Sequence, residues 1–158
     1  MCGIAGLIHR GKTVNIGTEM QGMLQALKHR GPDSTGYALY GEGSTGDYIL
    51  RFKVGENVKE GSSAANEEKA VYDERRKQVD KFIRDLGADI LQDQQLTPYS
   101  FRYVIKYDKD LMEFSKKIES VDMTEILSLG KTLELVKDIG DASVVSKQYG
   151  LDKIKGTH

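Results

Sequence analysis

The residue of this chain that could combine a nucleophile with a base is Cys2, its only cysteine, which directly follows Met1. Removal of Met1 would leave Cys2 with both a thiol and a free α-amino group, and these two kinds of group exchange protons near neutral pH. Nucleophile and base can then belong to one residue, as in hydrolases with an N-terminal threonine. The alternative is a structural role, because free cysteines are among the most buried residues. Position alone leaves both possibilities open.

A second group of chemically useful residues is the run Lys28-His29-Arg30-Gly31-Pro32-Asp33-Ser34-Thr35-Gly36. Glycine followed by proline is typical of a helix end, because glycine adopts the left-handed conformation and proline cannot continue the helix. Together with Met1-Cys2-Gly3-Ile4-Ala5-Gly6, this run resembles the class II glutamine amidotransferases, N-terminal-nucleophile hydrolases that release ammonia from glutamine. Three later segments resemble, more narrowly, the glutaminase domain of glutamate synthase: Thr97-Pro98-Tyr99, Val136-Lys137-Asp138-Ile139-Gly140-Asp141 and Lys155-Gly156-Thr157-His158.

The resemblance implies a reaction and a role for each of four residues. Cys2 is the catalytic residue: its thiolate attacks the side-chain amide of L-glutamine, a γ-glutamyl thioester forms, ammonia leaves, and water releases glutamate. The α-amine of Cys2 moves the proton through a water molecule. Arg30 lies near the thiol, and the Gly31 carbonyl lies near the amine or its water. Asp33 anchors the loop. The simpler alternatives are a helix C-terminal cation for Arg30 and a plain helix cap for Gly31.

The resemblance also implies an α+β fold, the four-layer αββα sandwich of N-terminal-nucleophile hydrolases, incomplete here, with an α/β insertion. We divide the chain into an N-terminal part of the amidotransferase domain (1–54), an insertion of helices and a small sheet (55–153), and a return to the core (154–158). The family's substrate-clamping arginine and its oxyanion-hole Asn-Gly pair do not occur before His158. We therefore expect an N-terminal fragment that is inactive alone.

Local patterns predict the elements that position the N-terminal motifs. Residues 2–8 predict a strand buried on both faces, because apolar side chains occupy both sides of the pleat. Thr18 with Gln21 forms a capping box and predicts a helix that begins at Thr18. Strands predicted at 35–41 and 48–54 are expected to form a hairpin.

The patterns of the later chain predict further helices and one strand. Asn66 is expected to cap a long helix that ends at Gly87, and alternation over residues 101–107 predicts a strand with one buried face. Short helices are expected to end at glycines 130, 140 and 150. The predicted caps of two of these helices are Asp122, in a capping box with Glu125, and Asp141, before a helix over 142–149.

Composition limits the classes of function. The chain is 39% hydrophobic and 30% charged, which is typical of a globular protein, and its net charge of −1 offers no basic field for nucleic acid. No apolar run approaches the ~18 residues that span a bilayer. One cysteine favours a reducing compartment, and we expect a cytoplasmic protein. The scattered histidines show no metal-ligand spacing, so no metal is expected.

Two classes of function remain open. The first is a glutaminase that supplies ammonia to a synthase subunit or domain, with FMN and iron–sulfur clusters expected only in that partner. The second is a non-catalytic interaction or regulatory module of the same fold. Within the enzyme class, the phosphoribosyl-pyrophosphate and glucosamine-phosphate types of class II amidotransferase are further alternatives.

Overall fold

A computed structural model of the chain describes residues 2–11, 13–30, 33–41, 46–56 and 65–156, without the side chains of 65–67. The chain divides into two compact units. The first comprises Met1–Gly41 with Val136–His158, and the second comprises Glu42–Leu135. These bounds are where the backbone separates into two bodies. The assignment of the segments to a catalytic domain and an insertion stays a prediction.

The first unit is built from helices α1 and α4 and a two-stranded sheet of β1 and β6. Its elements are α1 (Ile16–Ala26), a 3₁₀ turn (Lys28–Arg30), β1 (Ser34–Tyr40), the end of β6 (Leu133–Ile139), α4 (Ala142–Gln148) and a second 3₁₀ turn (Leu151–Lys153).

Helix α1 begins earlier than its sequence pattern predicts. Its N-cap is Asn15, whose side-chain oxygen accepts the Thr18 N–H at 3.1 Å. The expected capping box at Thr18 and Gln21 is wrong, because Thr18 already lies within the helix. Its hydroxyl donates instead to the Asp152 carbonyl at 3.0 Å. Asn15 therefore caps α1, and Thr18 attaches the helix to Asp152 near the C-terminal end of the chain.

Gly17 allows α1 to approach the backbone of residues 151–154. Its N–H donates to the Ile154 carbonyl at 3.1 Å, and a β-carbon at Gly17 would lie 1.8 Å from the Leu151 carbonyl oxygen. The obstructing atom belongs to the backbone, so a side chain there would force α1 and the turn apart.

We expect Gly17→Ala to destabilise the first unit by about 1–3 kcal/mol, because overpacking forces backbone shifts. Gly22→Ala is the matched control in the same helix. No atom lies within 4 Å of the β-carbon position there, so alanine should stabilise the helix by roughly 0.5–1 kcal/mol. Urea unfolding followed by circular dichroism measures both changes. An unchanged midpoint for Gly17→Ala would contradict the close approach.

The second unit is an antiparallel sheet with strand order β3-β4-β2-β5, covered on one face by helices α2 and α3. Its elements are β2 (Tyr48–Lys53), α2 (Ala65–Asp85), β3 (Asp89–Thr97), β4 (Ser100–Lys106), α3 (Leu111–Ile118) and β5 (Glu125–Gly130). The core lies between sheet and helices, and its fully buried residues include Leu50, Phe52, Val79, Ile83, Phe101, Tyr103, Ile105, Phe114 and Ile118.

The opposite face of this sheet carries a charged cluster of Arg51, Arg102 and Glu134. Arg51 lies opposite Arg102 on neighbouring strands. Glu134 accepts from Arg51 Nε at 2.6 Å and from Arg102 Nε and Nη2 at 2.8 and 2.9 Å. Burial raises the pKa of Glu134, but the hydrogen bonds and charges of the two arginines outweigh it and hold that pKa below its ordinary value. The Glu134 carboxylate thus compensates the charges of Arg51 and Arg102, which lie side by side on this face of the sheet.

The structure confirms an α+β fold and most of the later elements. Helix α2 ends before Gly87, which has φ +84°, and the alternating residues of β4 bury one side. Helix α4 begins after its predicted cap, Asp141, and its C-cap, Tyr149, is followed by Gly150. Because Asn66 lies inside α2, its predicted position as N-cap is wrong. No described helix is both long and apolar enough to cross a membrane.

Four expectations from the sequence are wrong. Residues 2–8 form no strand, and β1 pairs with β6 while β2 pairs with β4 and β5, so β1 and β2 are not a hairpin. Glycines 130 and 140 end or follow strands instead of helices. Glu125 starts β5, and Asp122 pairs with Arg75 of α2 instead of capping a helix. A long-range partner overrides the local signal at β1, β2 and Asp122, whereas residues 2–8 lack a strand partner among the described residues.

Candidate active site

The segment that carries Cys2 lies against helix α1 without forming a strand. Cys2 is a free, exposed cysteine. Gly3 packs on the last turn of the helix, where a β-carbon would lie 3.1 Å from Leu27 Cβ. Further along, His9 Nε2 lies 2.8 Å from a carboxylate oxygen of Glu19. These two contacts hold the N-terminal segment along α1, with Cys2 at the C-terminal end of that helix.

Arg30 is brought to the same end of α1. It closes the 3₁₀ turn that follows the helix, and its N–H donates to the Leu27 carbonyl at 2.9 Å. Leu27 is therefore a shared neighbour: Gly3 packs on its side chain, and Arg30 bonds to its backbone. The side chain of Arg30 is exposed. Gly3 and the backbone of Arg30 therefore both lie next to Leu27 at the C-terminal end of α1.

Of the two other residues expected at the site, Gly31 and Asp33, the structure describes only Asp33. Gly31 lies outside the described residues, so its expected role stays a prediction. Asp33 is exposed, and its backbone carbonyl accepts the Gly140 N–H at 3.0 Å. This backbone bond attaches Asp33 to the end of β6.

Lys28 forms an ion pair that the sequence patterns do not reveal. Its ammonium lies 2.8 Å from Oδ2 of Asp141, and the two side chains are 49% and 18% exposed. Asp141 Oδ1 accepts the N–H groups of Ser143 and Val144 at the start of α4. The hydrogen bond from Lys28, followed by the one from Val144, holds the pKa of Asp141 below its ordinary value. Asp141 therefore joins the turn after α1 to the start of α4.

An apolar cleft of about 730 Å³ opens between α1, β1 and residues 5–8. Ala5, Leu7, Met20, Leu24 and Leu39 are among the side chains that line it. Glutamine carries an α-carboxylate and an α-amino group, which such a lining would leave unpaired at a cost. The cleft is therefore suited to apolar side chains and not to free glutamine.

Residues 2–8, which border this cleft, lack the partners that a buried strand needs. A strand that is apolar on both faces needs backbone partners at its edges and cover on both sides. Within the described ranges no strand pairs with this segment, and Ile4 and Ile8 are 93% and 76% exposed. Its apolar side chains thus flank a space instead of a packed layer.

The described residues bring the segment of Cys2 and the turn of Arg30 to the same end of α1. They include no group placed to bind both ends of glutamine. No cluster of three or more potential metal-ligating side chains occurs in the described ranges. The contacts that sequence analysis missed are those of Lys28, Thr35 and Tyr37 with residues 140–142. The sequence indicates these contacts in one way only: residues 28–36 and 136–141 both belong to motifs that carry the family resemblance.

Comparison with known proteins supplies one similarity. The chain is 30% identical over 163 aligned positions, which include all of this chain, to a protein of Methanothermobacter thermautotrophicus described as "Putative glutamine amidotransferase". The chain spans 50% of the length of that curated relative. No family model matches the chain.

Proposed function

We propose that this chain is part of a class II glutamine amidotransferase, a glutaminase of the glutamate synthase type. The observation that supports the proposal is that Gly3, next to Cys2, packs against Leu27, whose carbonyl accepts the N–H of Arg30. The similarity to the Methanothermobacter protein supports the same general activity.

In the proposed reaction, Cys2 Sγ attacks the side-chain carbonyl carbon of L-glutamine, and the thiol proton passes to the free α-amine through a water molecule. The C–N bond breaks as the amine returns a proton to the leaving group, so ammonia and a γ-glutamyl thioester form. Water then cleaves the thioester to glutamate. Splitting the hydrolysis into two steps lowers each barrier. Arg30 stabilises the thiolate by its charge.

The substrate clamp and the oxyanion hole are proposed to come from polypeptide beyond these residues, either in the same chain or in another. Each oxyanion donor is worth about 10²–10³ in rate, so the 158 residues alone should turn over glutamine very slowly. The same polypeptide is proposed to fill the apolar cleft, pair with residues 2–8 and complete the αββα sandwich. The released ammonia passes to a synthase partner, which holds the FMN and iron–sulfur clusters.

The test of this function is the state of the N-terminus in active protein. We expect intact-mass measurement of protein from its native host to show Cys2 as the first residue, because an acylated nitrogen cannot accept a proton. Blocking that amine should lower ammonia release from glutamine by about 10²–10⁴-fold, the usual contribution of a positioned base.

Two outcomes would contradict the proposal. Full retention of Met1 in protein that hydrolyses glutamine would exclude the α-amine as base. Absence of glutamine hydrolysis in the product of the complete coding sequence, with Met1 removed, would favour the non-catalytic module instead.

A further inference from the structure

The segment Asp138–Asp141 contacts both flanks of the turn that carries Arg30. On the N-terminal flank, Lys28 Nζ lies 2.8 Å from Asp141 Oδ2. On the C-terminal flank, the Asp33 carbonyl accepts the Gly140 N–H at 3.0 Å, and the Thr35 hydroxyl donates to the Gly140 carbonyl at 2.8 Å. Two adjacent residues, Gly140 and Asp141, thus bind the chain on either side of Arg30.

The segment that makes these contacts is itself held firmly. Asp138 is 2% exposed, and its Oδ2 accepts the Tyr149 hydroxyl at 2.7 Å while its Oδ1 accepts the Ile139 N–H at 2.8 Å. Gly140 has φ +127°, and a β-carbon there would lie 3.2 Å from Val144 Cγ1. This conformation suits glycine and turns the chain from β6 into α4.

A fourth contact extends the support along β1. The Tyr37 hydroxyl, which is buried, donates to the Ala142 carbonyl at 3.0 Å. Lys28, Thr35 and Tyr37 therefore each bond to a different one of the residues 140–142. A contact of Lys28 alone would be an ordinary surface ion pair, worth under about 1 kcal/mol. Bonds on both sides of one turn instead fix where the turn lies.

We propose that Asp141 and Thr35 are positioning residues, which hold the turn after α1 so that the Arg30 guanidinium stays beside the Cys2 thiol. This inference rests on the proposed function, because it assumes that Arg30 acts on the thiol. It assigns a role to the motif Asp138-Ile139-Gly140-Asp141, whose residues do not take part in the chemistry. These residues act on the site through Arg30 and touch neither glutamine nor the thiol.

The test is the charge selectivity of Cys2 alkylation in the whole chain without Met1. Iodoacetate and iodoacetamide both react by displacement of iodide from carbon by Sγ, and Cys2 is the only cysteine. A neighbouring cation speeds the anionic reagent relative to the neutral one. The ratio of the two rates should therefore fall in Arg30→Met, by up to about fivefold, the factor that corresponds to roughly 1 kcal/mol for two charges about 4 Å apart in water.

Asp141→Asn and Thr35→Val are the decisive variants. Asparagine caps helices as well as aspartate does, so Asp141→Asn removes the ion pair and keeps the cap of α4. We expect the rate ratio to fall toward that of Arg30→Met in both variants. Loss of a negative charge would by itself raise the ratio, so a fall in Asp141→Asn reports displacement of Arg30. Thr35→Val changes no charge and gives an independent measurement if Asp141→Asn unfolds.

The matched control is Asp110→Asn. Asp110 caps α3 through the N–H groups of Met112 and Glu113 in the second unit, just as Asp141 caps α4. Its variant should keep the wild-type ratio. A wild-type or raised ratio in Asp141→Asn together with a wild-type ratio in Thr35→Val, while Arg30→Met lowers it, would overturn the positioning role and leave the proposed function standing. An unchanged ratio in Arg30→Met would overturn the premise that Arg30 acts on the thiol, and the positioning role with it, while Cys2 as the nucleophile is tested separately by ammonia release.

Discussion

Replacement of Cys2 by alanine is expected to abolish glutamine hydrolysis, with a loss of about 10³-fold or more. The substitution removes the atom that forms the thioester, and removal of a covalent nucleophile leaves only what binding and electrostatic groups contribute. Ammonia release by the product of the complete coding sequence, with Met1 removed, is the measurement. Labelling of residue 2 by a glutamine-mimicking electrophile should disappear as well, since the reacting thiol is removed.

Cys2→Ala should change neither the stability of the fold nor the synthesis that the partner carries out with free ammonia. Cys2 is exposed, so Cys2→Ala should keep the wild-type unfolding midpoint. Synthesis from free ammonia by the synthase partner should continue at its normal rate. An alanine variant that still hydrolyses glutamine would place the nucleophile elsewhere.

Glu134→Gln is expected to destabilise the second unit by about 3–5 kcal/mol. The wild-type carboxylate is 15% exposed and binds two arginines, of which Arg51 is 9% exposed. Removing the anion from a buried cluster leaves uncompensated cations, which is the costly case. Asp93→Asn is the matched control, because Asp93 is 58% exposed in its pair with Arg76, and such pairs are worth about 0–1 kcal/mol. Urea unfolding measures both variants.

The same cluster predicts a pH dependence. The pKa of Glu134 is lowered in the folded protein, so its stabilising contribution is complete above the ordinary carboxyl pKa and is lost as the pH falls through the lowered value. The difference in free energy of unfolding between wild type and Glu134→Gln should therefore shrink as the pH falls. Equal urea midpoints at neutral pH would show that the cluster contributes no net stability.

Periodicity predicted the second unit well because its elements bury one clear face. Phe101, Tyr103 and Ile105 alternate along β4, and Val79 with Ile83 forms a helical stripe on α2; all five are fully buried. The local apolar pattern and the tertiary environment agree in these elements. Asp141 was predicted as a cap for the same reason, since two of its hydrogen bonds are local, from the N–H groups of Ser143 and Val144.

Prediction failed where a distant residue decides the structure. Nothing local tells that the Thr18 hydroxyl bonds to Asp152, or that β1 pairs with β6 instead of β2. The segment 2–8 has the composition of a strand, but its edges and faces need partners that the described residues do not provide. At the site, residue types indicated Cys2 and Arg30, while the contacts of Lys28 and Thr35 required coordinates.

Cys2 is proposed to carry the glutamyl group during turnover, and trapping that group tests the proposal. Protein from the complete coding sequence, with Met1 removed, is mixed with L-glutamine, quenched with acid during turnover and weighed intact by mass spectrometry. We expect a species heavier by one γ-glutamyl group, mapped to Cys2, released by hydroxylamine and absent from Cys2→Ala. Ammonia release by protein that never carries a glutamyl group on Cys2 would contradict it.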